Sequence, residues 1–312
     1  GMYYAGVGNW RRARQLFKQV IDAAETIGDR YRWDDGVGNQ AIVDYFQGDF
    51  AASMTLSRQM FESAKRRDDA HNQAWALRSE IYCLLPKGEL IMADAHLTGL
   101  AALLERDTHI VDQALRIDMY GLLALVKFRL GQIEAALAAG KQATALMAQT
   151  SPVSYLSLPG YASTAQVYLR LWEAEYLTRQ QVPGYDLEQA EFSQPSPIWT
   201  PAAREACKIL RGYARVFPIG KSQARLWQGL FEWQSGRRRL AHEYWRNSLT
   251  AARQLAMPFD EGLAHFEIGR HLNSANPQRA QHLARAREIF ESLQATDLKD
   301  QVVEVQACTA RP

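Results

Sequence analysis

Cysteine is scarce in this chain of 312 residues: Cys83, Cys207 and Cys308 lie far apart, and none forms a C-x-x-C pair. An odd, scattered set excludes the disulfide framework of a small secreted domain and supplies no thiolate metal site. Charge of one sign is also missing. The 36 basic and 34 acidic residues leave a net charge of +2, so bulk electrostatics gives no case for nucleic acid or an anionic membrane as partner. No apolar run approaches the roughly 18 residues needed to span a bilayer, and no basic segment followed by an apolar one opens the chain. Sustained period-two alternation is absent too, so strands are not expected. These absences point to a cytoplasmic, all-helical chain. Gly1 ahead of Met2 has the form of a tag remnant.

What is present is a repeated phrase: GNWRRARQLFKQV from Gly8, GDFAASMTLSRQMF from Gly48, GQIEAALAAGKQAT from Gly131 and GRRRLAHEYWRNSL from Gly236. A weaker copy, GELIMADAHLTGLAAL, starts at Gly88, and HLARAREIFESL from His282 lacks the glycine. Each reads as a glycine that ends one helix in a left-handed conformation, a polar residue in the turn, and a bulky apolar residue that starts the next helix. Ala13, Ala93, Ala136 and Ala241, with Ser53 in the second copy, are small enough for paired helices to approach closely. The starts at 8, 48, 88 and 131 give steps of 40, 40 and 43, longer than the roughly 34-residue tetratricopeptide unit but of the same helix–turn–helix grammar. Apolar-periodic segments such as Gln40 to Phe46 and Met119 to Leu130 form the first helices of the pairs. The expected fold is an all-α, tetratricopeptide-like α-solenoid of antiparallel helix pairs in a right-handed superhelix.

The register breaks at a proline-rich loop, residues 181–199, which divides a lobe over 1–180 from a lobe over 200–312. Pro201 suits the first turn of the following helix, with Thr200 as its cap. At the front, only seven residues precede Gly8, so the first repeat reads as cut. Tyr3, Tyr4 and Trp10 are then expected to face where a preceding element sat, or a second copy in a homodimer.

Four short motifs invite chemistry. Gly220-Lys221-Ser222 ends a phosphate-loop pattern, but the early glycine position holds Arg215 and the flanking residues read as helix rather than strand. A turn suits it better, with Gly220 at the bend and Ser222 as cap. Gly36-Val-Gly38-Asn-Gln-Ala41 fits a dinucleotide fingerprint by spacing alone, yet no strand precedes it, and a tightly packed helix start is the better reading. Arg204, Lys208, Arg211 and Arg215 share one helix face, read as solvated. His265 and His271, six apart, do not share a helical face, so no metal site is expected. Glu261 with His265 and Glu267 with His271 read as helix-supporting pairs, and Trp227, Trp233 and Trp245 as core.

In register, the wording QGDFAASMTLSRQMFESAKRRDDAHNQAWAL, GYASTAQVYLRLWEAE, ARVFPIGKSQARLWQGLFEWQ and MPFDEGLAHFEIGRHL resembles the C-terminal tetratricopeptide-like region of large bacterial signalling proteins. Those proteins carry a class III nucleotide cyclase domain and an AAA or STAND-type ATPase module. The resemblance implies a non-catalytic interaction and regulatory region, with a cyclase or ATPase elsewhere in the parent chain. No catalytic motif of either enzyme falls within these residues, and no cofactor is implied.

Two functions follow as expectations. In the first, the surface lined by the first helices holds a protein partner, either the parent's upstream domains or a peptide. Counting from the glycine turns, Tyr45, Glu80, Arg129 and Gln234 are candidates for that surface. In the alternative, the superhelix groove closes on a metabolite and the module is a small-molecule sensor.

Overall fold

The computed structural model describes residues 1–106, 112–180 and 196–309. Among them are fifteen α-helices and no strand. They pair as α1 (Met2–Gly6) with α2 (Trp10–Ile27), α3 (Arg30–Phe46) with α4 (Phe50–Arg66), α5 (Ala70–Lys87) with α6 (Leu90–Arg106), and α7 (Gln113–Arg129) with α8 (Ile133–Gln149). The series continues with α9 (Leu158–Gln180) and α10 (Trp199–Val216), α11 (Lys221–Gln234) and α12 (Arg238–Gln254), α13 (Pro258–His271) and α14 (Pro277–Ser292), and ends at α15 (Thr296–Thr309). Each helix packs on its neighbours in sequence, and one hydrophobic core runs from Ala5 to Val305. The fold is an all-α solenoid.

The glycine turns are built as the repeats require. Gly8, Gly48, Gly88, Gly131 and Gly236 all have φ between 75° and 85°, where a Cβ is strained. Asn9 and Asp49 then cap the next helix, accepting from the N–H of Arg12 and Ala52. Ala13, Ser53, Ala93, Ala136 and Ala241 are fully buried. The opposite turns carry a second periodic signal absent from the glycine reading. Asp29, Asp69 and Asp112 cap α3, α5 and α7, with the same steps of 40 and 43 as the glycines.

The odd and even helices have different jobs. α2 and α12 bury one stripe and expose the rest, whereas α5, α11 and α13 are buried nearly all round. The odd helices form the inner layer, because each also packs on the next odd helix along much of the array.

The solenoid curls until its late turns touch its early ones. Gly8 lies against Leu255, Gly48 against Leu293 and Pro258, and Gly88 against Asp297, so a Cβ at these glycines would press on the later repeats. Trp10 Nε1 donates to the Leu255 carbonyl, Thr296 Oγ1 donates to the Lys87 carbonyl at 2.8 Å, and Phe50 meets Phe259 edge-on at 5.9 Å. The inner layer therefore surrounds a partly open space.

Several local expectations are corrected. Trp10 does not face a missing element: it is 5% exposed and stacks on Phe46 at 5.7 Å, while Tyr3 is exposed. Gly36 and Gly38 lie in the middle of α3, not at its start; they are small because Ile21 and the Met60 sulfur sit within 3 Å of where their Cβ atoms would be. Thr200 lies inside α10 and does not cap it: the helix follows Ile198, which makes no side-chain cap bond, and Ser196 Oγ in the turn before it accepts from the N–H of Ile198 and Trp199. Residues 181–195, most of the expected proline-rich loop, lie outside the described residues.

Candidate functional site: a cavity inside the inner layer

The inner helices line a partly open cavity of about 240 Å³. Its aromatic wall comes from Tyr45, Phe46, Tyr82, Phe128, Trp227 and Phe259. Tyr45 lies 5.2 Å from Tyr82 and 5.6 Å from Phe50 between ring centres, so α3, α4 and α5 are locked by ring contacts at this end. Its hydroxyl has no hydrogen-bond partner among the described residues.

Four ionisable chains of formal charge line the same space: Arg129, Arg170, Asp260 and Asp297. Arg129 Nη1 donates to the Leu85 carbonyl at 2.7 Å and Nη2 pairs with Asp297 at 2.8 Å, which ties α7 to α5 and α15. Arg170 belongs to a closed quartet. It pairs with Glu173 at 2.8 Å and Glu267 at 2.6 Å, and Arg270 pairs with the same two carboxylates at 2.8 and 2.9 Å. Two cations and two anions balance there. Although burial opposes charge, the two guanidiniums hold Glu173 below the usual carboxylate range and Glu267 down to about 2. Beside them His271 is stacked on Trp245 at 4.5 Å and held to about 3 by burial and Arg270.

Asp260, at the start of α13, differs. Its carboxylate accepts from Ser222 Oγ and, at 2.7 Å, from Gln223 Nε2. Gln223 Oε1 in turn accepts from Trp227 Nε1 at 2.9 Å. No cation pairs with Asp260 among the described residues. Only 5% exposed, its carboxyl is pushed up to about 6 by burial, against the pull of its two donors.

Next to the cavity lies a crosspiece. Residues 151–157 run from α8 to α9, and Arg78 and Tyr82 of α5 reach it: the Tyr82 hydroxyl donates to the Leu156 carbonyl at 3.0 Å and also to Asp118. Arg78, 2% exposed, pairs with Asp118 at 3.4 Å. Asp118 also accepts from the Gly160 N–H at 2.8 Å, where α7 and α9 cross so closely that a Cβ on Gly121 would run into the Gly160 carbonyl. A second cavity of about 820 Å³, lined by Asn39, His71, Trp75 and Arg78, reaches this crosspiece at Leu156.

The structure brings two of the four candidate residues together. Tyr45 and Arg129 line the cavity. Glu80 does not: it sits between Arg58 at 3.6 Å and His96 at 3.2 Å, a tie between α5 and its neighbours. Gln234 is buried and donates to the Leu169 carbonyl at 3.0 Å, bracing α11 on α9. Asp260, Gln223 and Trp227 were missed as a group. An acidic residue after a proline at a helix start is the ordinary response to the helix dipole, so nothing in the sequence marked Asp260 as buried.

The phosphate-loop fragment is a structural joint. Gly220 has φ of −74° and its N–H donates back to Phe217, so the backbone does not curl into an anion cradle. Lys221 is exposed, and Ser222 points inward to Asp260 instead of capping α11. Of the basic face on α10, Arg211 bonds Gln228 and Arg204 lies over Phe231 at 5.9 Å, while Lys208 stays exposed beside Glu205. His265 meets His282 at 2.9 Å between Nδ1 atoms, and burial with neighbouring positive groups holds His265 to about 3. Among the described residues no group of three or more His, Cys, Asp or Glu is placed to hold a metal ion, and no helix is long and apolar enough to cross a membrane.

The chain matches no family model and no curated protein.

Proposed function

We propose that this chain is a non-catalytic regulatory module of a larger signalling protein of the ATPase or nucleotide-cyclase kind, and that it acts as a small-molecule sensor. The observation that carries this reading is the closure of the inner layer. An open solenoid offers a long trough to a peptide, whereas here the contacts of Gly8, Gly48 and Gly88 with later repeats leave a compact space of mixed aromatic and polar lining, the form of a small-ligand pocket. Because that space is walled by helices from both halves of the chain, a ligand there would strengthen the contact between them, and the curvature of the array is what a neighbouring domain would read.

Protein docking is a second reading, supported by exposed apolar residues on the first three helices: Met2, Tyr3, Val20, Ile27 and Tyr31. The two readings are compatible, with the cavity as input and the outer face as output.

Native mass spectrometry of the purified chain, with calorimetry of any recovered metabolite, tests the sensor reading. Ala162 lines the cavity, so Ala162→Phe fills part of it. A metabolite that binds the wild-type chain and not Ala162→Phe is the expected result; binding unaffected by the substitution places the site elsewhere.

A further inference from the structure

Charge inside the cavity does not balance. Of the ionised groups on its wall, Arg129 is matched by Asp297, and Arg170 is matched within the quartet of Glu173, Glu267 and Arg270. Asp260 is left over. Its partners, Ser222 and Gln223, are neutral donors, which satisfy its lone pairs without cancelling its charge. A buried carboxylate with no cation is costly, and a folded chain that merely needed a hydrogen-bonded side chain here would be served by Asn or Gln.

The surroundings say what is missing. Tyr45 and Phe259, both half-buried, line the cavity together with Asp260, and aromatic faces attract positive charge through their quadrupoles; Tyr82 and Trp227 also line it, but Arg78 and Arg170 already lie over their rings at 5.0 and 5.7 Å. A carboxylate that shares a cavity with aromatic rings is the chemistry that recognises an organic ammonium group: the carboxylate supplies the charge and the rings replace part of the water that the cation loses. The other polar groups of the wall suit a small polar tail, since Tyr45, whose hydroxyl has no partner among the described residues, lines the cavity with Ser163 and Gln166. A free inorganic cation is a poorer match, because a hard metal ion asks for six or more oxygens and this wall offers rings.

We infer that the cavity binds a small organic ammonium compound, with Asp260 as its counter-ion and the half-buried rings of Tyr45 and Phe259 beside it. This rests on the sensor reading above and sharpens it to a ligand class.

The experiment compares choline with its neutral isostere 3,3-dimethylbutan-1-ol by calorimetry on the whole chain, then repeats it on Asp260→Asn and Ala162→Phe. Expected is saturable choline binding at least about tenfold tighter than the alcohol, lost by about tenfold or more in Asp260→Asn and abolished in Ala162→Phe. The Asn oxygen still accepts from Gln223 Nε2, while its NH2 donates to the Ser222 hydroxyl, which then turns from donor to acceptor, and a circular-dichroism melt checks that the variant is folded. Should a variant misfold, the contrast between choline and the alcohol is still read on the wild-type chain. Equal binding of the two compounds, no choline binding at millimolar concentration, or full retention in folded Asp260→Asn overturns the inference. A neutral or anionic metabolite recovered from the wild-type chain and excluded by Ala162→Phe overturns the ligand class alone and leaves the sensor reading standing. Choline binding unchanged in Ala162→Phe sinks both.

Discussion

Asp118 on α7, beside the crosspiece, and Asp260 in the cavity are two buried carboxylates whose carboxyls are both pushed up to about 6 by burial, yet their surroundings are built differently. Asp118 has a guanidinium, a phenol and a backbone N–H converging on it from α5 and α9, and it holds three elements at fixed distance. Asp260 has neutral donors from a single helix, α11, and aromatic rings on the open side. Burial alone therefore does not separate a structural acid from a site acid. The difference lies in whether the protein itself supplies the compensating charge, and in whether empty space adjoins the carboxylate.

The largest effect is expected at Asp118. Asp118→Asn leaves Arg78 buried without its anion, and loss of one partner of a buried pair costs about 3–5 kcal/mol; urea denaturation should show it. An effect under about 1 kcal/mol would mean that the crosspiece is solvated and the comparison fails. Next comes backbone clearance. Gly121→Ala forces α7 off Gly160 and should cost about 2–3 kcal/mol by overpacking, whereas Gly212, with nothing near its Cβ position, should gain up to about 1 kcal/mol on change to Ala, by helix propensity.

The pH dependence is smaller and has a definite sign. An Asp that titrates at about 6 in the fold and at about 4 when unfolded binds more protons folded in that interval. Its stabilising contribution is present below about pH 4 and is lost as pH rises through about 6. His265 and His271, held to about 3, act in the opposite direction: their neutral burial favours the fold above the usual histidine range, and this is lost as pH falls. The net curve therefore mixes signs, but the difference between wild type and Asp260→Asn isolates one group. Wild type should gain about 1–2 kcal/mol on the variant between about pH 7 and about pH 5; a flat difference would show that Asp260 is not desolvated. The smallest effect belongs to Lys221→Ala, an exposed position. Stability should change by less than about 0.5 kcal/mol, and calorimetry with magnesium and ATP should show no saturable binding before or after.

The repeats were legible because the outer helices advertise themselves. GNWRRARQLFKQV and GRRRLAHEYWRNSL bury one stripe and leave the rest to water, so apolar residues recur at helical spacing and the glycine before them stands out. Inner helices such as α5, α7 and α13 are covered on nearly all sides, and their polar residues are buried with partners: Arg78 with Asp118 between adjacent repeats, Glu267 with Arg170 from a distant one, and His271 with the Glu267 carbonyl of its own helix. That composition reads as a solvated helix in one dimension. Glu80 and Gln234 were chosen as surface candidates for this reason, and both are internal ties. Tyr45 and Arg129 do line the cavity, at the ends of α3 and α7 just before the turns.

Local chemistry determined the helices, their turns and their pairing. A left-handed turn needs glycine, a helix start wants an acceptor side chain, and a stripe of small and large apolar residues can be buried only against a neighbour; each rule acts within about 40 residues and so is written in the sequence. Closure of the array, the balance of the quartet and the uncompensated charge of Asp260 were decided by tertiary structure alone. They depend on Gly8 meeting Leu255, Arg170 meeting Glu267 and Asp260 meeting Ser222. Small angles between successive pairs add up along the solenoid until such residues touch, and no local pattern records that sum.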